Sequence, residues 1–146
     1  MKKLLSFLFF CGPLFFFSCD RTESLPPTSA TALLTKSAWT TFDDLVETNG
    51  VFVSDIEDCD KDNIWLFKAD GSLTVQEGPM RCSPPVPNVS LNWSLQKDDT
   101  VLRIIFGDPD DPEYKIVTLT EHKLELLATE VPSPANAGKE KLILTR

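Results

Sequence analysis

Beyond Trp39 the chain alternates apolar and polar residues with a period of two. The clearest run is Asn88 to Gln96, with Val89, Leu91, Trp93 and Leu95 on one face and Ser90, Asn92, Ser94 and Gln96 on the other. That pattern predicts a strand with one buried face and one wet face. Lys123 to Ala128 alternates in the same way, and Glu140 to Thr145 puts Leu142 and Leu144 together. Other strand-length apolar segments are Asn63 to Lys68, Ser72 to Gln76, Thr100 to Phe106 and Tyr114 to Leu119. With a first strand around Trp39–Val46, about eight strands are expected.

The residues between these segments are turn formers. Ala69-Asp70-Gly71 is a hairpin signal, because glycine takes the positive φ that a tight turn needs. Lys97-Asp98-Asp99 and Thr120-Glu121-His122 are short turns. Gly107 to Pro112 and Val131 to Gly138 hold prolines that neither a helix nor a central strand tolerates. Short connections favour an antiparallel up-and-down meander, and closing it into a barrel removes the exposed edges. The expected fold is all-β, an eight-stranded meander barrel over residues 32–146. Thr31 to Lys36 is the one helical candidate. It fits a plug for one end of the barrel, or more of the segment before it.

The N-terminus has a different pattern. Met1-Lys2-Lys3 is basic, and Leu4 to Phe17 is apolar apart from Ser6, Gly12 and Pro13. This stretch is shorter than the ~20 residues of a spanning helix, and Pro13 would kink it. Residues 1–18 therefore read as a secretory signal peptide. The segment ends Phe16-Phe17-Ser18-Cys19, which resembles a lipobox, with the small Ser18 before the cysteine that takes lipid. Each buried CH₂ of such a lipid contributes about 0.8 kcal/mol, so two or three chains hold firmly. Residues 19–31 are polar and contain Pro26-Pro27, a flexible tether spanning roughly 20 Å. The expected address is the bacterial cell envelope, lipid-anchored at the outer membrane on its periplasmic or surface face.

Length and charge narrow the function classes. A chain of 146 residues with 42% apolar and 25% charged positions suits one globular domain. The net charge of −8 becomes more negative once Lys2 and Lys3 leave with the signal. Nucleic-acid binding needs the opposite sign, so no nucleic-acid partner is expected.

Cys11 falls in the signal and Cys19 carries lipid, which leaves Cys59 and Cys82. An even pair in an exported chain points to a disulfide, with free thiols or half of a metal site as the alternatives. No CxxC pair is present and His122 is the only histidine, so zinc of the usual kind lacks ligands.

An ordered set of residues carries a family resemblance. Leu33-Leu34-Thr35 precedes Trp39; Cys59-Asp60-Lys61-Asp62-Asn63 leads into Phe67 and Asp70-Gly71; Cys82 and Trp93-Ser94-Leu95 follow. Ile116, Leu119-Thr120 and Leu124-Glu125-Leu126 complete it. In these the chain resembles the short lipocalin-like lipoproteins of the Bacteroidetes type, from Leu33 to Arg146. The resemblance implies a compact lipocalin-type barrel with a disulfide, and it supplies no catalytic residues. Ser37 stands where the lipocalin Gly-x-Trp pattern has glycine.

Candidate chemistry is sparse. His122 lies in a predicted exposed turn, with no nucleophile–base arrangement around it. There is no Gly-rich phosphate loop and no Gly-x-Ser-x-Gly elbow. Asp58, Asp60 and Asp62 have the spacing that opens an EF-hand loop, but Asn63 replaces the turn glycine and Ala69 the bidentate glutamate. They read as a solvated acidic loop beside Cys59, as does the run Asp108, Asp110 and Asp111. The expectation is no enzyme, no metal and no cofactor. Trp39, Phe67 and Trp93 are the candidates to line a pocket for a small apolar ligand or lipid, or else to fill the interior. With a filled interior, the domain would serve as an interaction module for another envelope protein. The lipid anchor is directly testable: Cys19→Ala should move the protein from the membrane to the soluble fraction, and a variant still needing detergent would refute it.

Overall fold

The structure, a computed structural model, describes residues 29–107, 111–128 and 139–146. The signal peptide, Cys11, Cys19, most of the tether, and Asp108 and Asp110 lie outside the described residues. Among the described residues a short helix, α1 (Ala30–Thr35), precedes nine strands: β1 (Trp39–Thr48), β2 (Val51–Ser54), β3 (Ile64–Phe67), β4 (Ser72–Gln76), β5 (Val89–Gln96), β6 (Val101–Ile105), β7 (Glu113–Leu119), β8 (Lys123–Ala128) and β9 (Glu140–Thr145). Every pairing is antiparallel, in the order β2-β1-β3-β4-β5-β6-β7-β8-β9, and β1 also pairs with β9. Eight strands thus form the expected closed up-and-down barrel, with β2 as an extra strand outside the ring.

The sequence reading missed β2 and ended the first strand at Val46, two residues early. Asn49 and Gly50 sit between the two strands with φ of 54° and 79°. Positive φ at both central residues is what a two-residue hairpin turn requires. Asn-Gly was therefore the available signal.

The inner face follows the alternation. Leu91 and Trp93 of β5, Leu124, Leu126 and Ala128 of β8, and Leu142 and Leu144 of β9 are buried. They join Leu73, Leu102, Ile104 and Phe67 in one core, as expected when side chains fill an eight-stranded barrel. Two bulges shift the phase, between Thr41 and Asp43 in β1 and between Ile116 and Thr118 in β7. Each turns an apolar residue out to solvent, Phe42 (62% exposed) and Val117 (46% exposed). The β1 bulge has a second effect: Thr41 pairs with Leu144 and Asp44 with Leu142, which puts Asp44 on the inner face.

One end of the barrel is closed. α1 spans Ala30–Thr35, one residue earlier than Thr31 to Lys36, and includes Ala30 and Thr31 of the expected tether. The Ser29 hydroxyl caps it by accepting from the Ala32 N–H at 3.1 Å. Leu34 is fully buried, and its carbonyl accepts from the Trp39 indole N–H at 3.0 Å. The Arg146 guanidinium lies 3.6 Å from the centre of the Trp39 ring and donates to the Leu33 carbonyl. The tight connections 68–71, 97–100 and 120–122 lie at this same end.

The opposite end carries the longer connections 55–63 and 77–88. The expected disulfide, Cys59–Cys82, joins them, with a Cα–Cα distance of 5.1 Å. Glu77 organises the 77–88 connection: its carboxylate accepts from the backbone N–H groups of Cys82 (3.1 Å) and Val86 (3.0 Å) and from Arg81 (3.1 Å). Those donors hold its carboxyl below the usual range. Asp62 accepts from the Met80 N–H at 2.8 Å. A Cβ on Gly78 would overlap the Asp62 carbonyl, so only glycine fits there.

The disulfide closes a loop between residues 23 apart in sequence, which in the chain-entropy model is worth about 3 kcal/mol. The Cys59→Ser, Cys82→Ser double variant should therefore lose about 3 kcal/mol in denaturant unfolding, or about 1.5 M in urea midpoint for a typical slope. An unchanged midpoint would refute a stabilising role for this crosslink.

Candidate ligand site at the open end

β1 leaves β3 after two residue pairs, Trp39↔Trp65 and Thr40↔Ile64, with one further bond from the Thr41 N–H to the Asn63 carbonyl at 2.9 Å. Beyond that point β1 continues against β9 and β2, while residues 55–63 cross the open end. The parting strands leave a cleft of about 280 Å³. Its apolar lining is Ile56, Trp65 and Leu142. Its carboxylates are Asp44, Asp55, Glu57 and Asp60, and Thr41 and Asn63 add neutral polar groups. A short chain of hydrogen bonds fixes one wall: the Trp65 indole N–H donates to the Thr41 hydroxyl at 2.9 Å, and that hydroxyl donates to the Asn63 carbonyl at 3.3 Å.

The charge here is one-sided, and burial has measurable consequences. Asp44 is raised above the usual carboxylate range, first by burial and then by the negative charges of Asp55 and Asp43. Glu140 lies on the same face of β9 as Leu142, the partner of Asp44, and so is a diagonal neighbour of Asp44. Burial, with a smaller contribution from Asp44, pushes Glu140 up to about 7. Tyr114, level with Glu140 across Ala128 in the ladder, is raised by burial and then by Glu140 and Asp44. The Oδ1 atoms of Asp44 and Asn63 are buried and have no hydrogen-bond partner among the described residues.

The residues singled out from sequence are elsewhere. Trp39 is fully buried against α1 at the closed end. Phe67 and Trp93 meet edge to face, with ring centres 5.6 Å apart and planes at 85°. The Trp93 indole N–H donates to the carbonyls of Lys68 (3.1 Å) and Ser72 (3.0 Å), tying the barrel wall to the β3–β4 turn. All three belong to the packed core, and none lines the cleft. The aromatic residue that does line it is Trp65, whose ring stacks on Phe67 at 6.5 Å.

The remaining candidates are dispersed. Asp58 pairs with Lys61, Asp60 accepts from the Asn63 side-chain amide at 2.7 Å, and Asp62 accepts from Met80. The EF-hand spacing thus yields three separately engaged carboxylates, not one shell. Cys59, Asp60 and Cys82 come within 4.8 Å of one another, but the sulfurs are bonded together and offer no thiolate. Asp111 accepts from the Phe106 N–H at 2.8 Å. His122 is exposed in the β7–β8 turn.

Sequence reading missed Asp44, Trp65, Tyr114 and Glu140. Glu140 was visible in principle, since it is in phase with Leu142 and Leu144 on an otherwise apolar face. Asp44 was not, because only the bulge brings it inward. Comparison with protein-family models and with curated proteins finds no match to this chain.

Glu140 makes stability fall as pH rises. Below its ordinary value of 4.5 the group is protonated in both folded and unfolded chains. Between 4.5 and about 7 the folded chain keeps a proton that the unfolded chain has lost, and above 7 the full cost of the buried charge is present. Glu140→Gln should therefore raise the denaturant midpoint at pH 8 by the equivalent of about 1 kcal/mol, after allowance for screening at its open side, and leave it unchanged at pH 4. An equal effect at both pH values would overturn this assignment.

Proposed function

We propose that the chain is a non-catalytic binding barrel of the bacterial cell envelope. Lipid on Cys19 tethers it to the outer membrane, and its open end takes in a small molecule with an apolar body. The observation that carries this reading is the cleft of about 280 Å³ where β1 parts from β3, backed by Ile56, Trp65 and Leu142. The barrel interior is filled by its core, so the space for a small ligand is the cleft at the open end, not the barrel centre. The address is supported by the signal-like residues 1–18 and the lipobox-like Ser18-Cys19. The resemblance to lipocalin-like lipoproteins is supported by the closed eight-strand ring and the Cys59–Cys82 disulfide.

A second reading, a module that docks another envelope protein, is favoured by one feature. Among the described residues β2 pairs only with β1, and its Val51 and Val53 are 62% and 53% exposed. An edge strand of that kind is a template for strand addition.

Native mass spectrometry of protein extracted from its own membranes separates the two. A retained small molecule, lost when Trp65→Leu is expressed in place of the parent chain, is the expected result. A bare mass, accompanied by one stoichiometric envelope protein that β2 substitution releases, would replace the first reading with the second.

A further inference from the structure

The cleft has a mixed lining. Ile56, Trp65 and Leu142 are apolar and are interspersed with Asp44, Asp55, Glu57 and Asp60, Asp44 being the ladder partner of Leu142, and among the described residues no lysine, arginine or histidine lines it. Its volume is at the small end of the range for organic ligands. Its four carboxylates concentrate negative charge beside the Trp65 indole, and a ligand that brings positive charge into that space relieves their mutual repulsion.

These features discriminate among ligands. An anion would face only carboxylates. A neutral apolar molecule would cover Trp65 and leave the carboxylates without a counter-charge. A bare metal ion would use the oxygens and leave the Trp65 side unfilled. A compact organic cation satisfies all three demands, because a carboxylate binds the ammonium and an indole attracts both its charge and its apolar body.

We propose that the open-end cleft binds a small organic ammonium, with the N–H groups directed at the carboxylates of Asp44 and Asp55 and the apolar body against Trp65. This rests on reading the barrel as a small-molecule binder, and it specifies the chemical class of the ligand.

The test is calorimetric titration of the full chain in non-ionic detergent, with micelle blanks subtracted. The probes are 2-phenylethylammonium, its neutral counterpart 2-phenylethanol, 3-phenylpropanoate and calcium chloride. The ammonium should bind at least about tenfold more tightly than the alcohol, and the carboxylate should not bind. Asp44→Asn should shrink the ammonium-to-alcohol ratio to about threefold or less while the alcohol's own affinity holds. Asp55→Asn, at an exposed rim position, should shrink it in the same direction without altering buried packing. Trp65→Leu should weaken both probes.

Equal affinity for alcohol and ammonium would overturn the cationic ligand and leave a binding barrel standing. A ratio unmoved by both Asp variants would do the same. Calcium displacing the ammonium from the cleft would replace the proposal with a metal site. Failure of all four probes would remove the small-molecule reading of the cleft itself, and the ammonium proposal with it.

Discussion

The barrel exists because β1 and β9 find each other. Their ladder runs from Thr40↔Thr145 to Val46↔Glu140 across a bulge, and it unites the two ends of the sheet. Without it the meander would be an open ribbon with two edges, and Leu142 and Leu144 would lack a facing wall. β1 meets a different neighbour along each part of its length: β3 at the start, β2 at the end, and β9 along the opposite edge throughout. That division has a geometric result. Where β3 has gone and the 55–63 connection has not closed over, the barrel wall opens.

The two ends of the molecule solve different physical problems. At the closed end the large indoles have specific partners, that of Trp39 on Leu34 and that of Trp93 on Lys68 and Ser72. At the open end, partners run short. Asp44 and Glu140 share the inner face, and burial first, then neighbouring negative charge, raises both above their ordinary range. Carboxylates left in that state work against folding at neutral pH, so packing elsewhere, and the disulfide across the rim, must offset them.

Most of the fold could be read from residue order alone, because alternation is a local property. β5, β8 and β9 announce themselves through Leu91 and Trp93, Leu124 and Leu126, and Leu142 and Leu144. Asp70-Gly71 marks its hairpin: Gly71 has φ of 85°, and Asp70 accepts from the Ser72 N–H at 2.9 Å. Asn49-Gly50 carried an equal signal for β2 and went unread. The site was far less legible. Trp39, Phe67 and Trp93 are large and apolar, and nothing local distinguishes an aromatic that packs from one that lines a cleft. The cleft depends on where β1 and β3 diverge and on a bulge that rotates Asp44 inward, and both are consequences of long-range pairing.

The segregation of short and long connections bears on how such a chain tolerates change. Lengthening a flexible connection costs only about 0.6 kcal/mol for each doubling of its length. Insertions at 55–63 or 77–88 would therefore redraw the rim while the ladder beneath kept its register. The three tight turns at the helix end have no such latitude, since each sets a strand pairing directly. The molecule is thus a fixed cup with a variable lip, and a lineage could diversify what it recognises through its connections without disturbing the packing that keeps it folded.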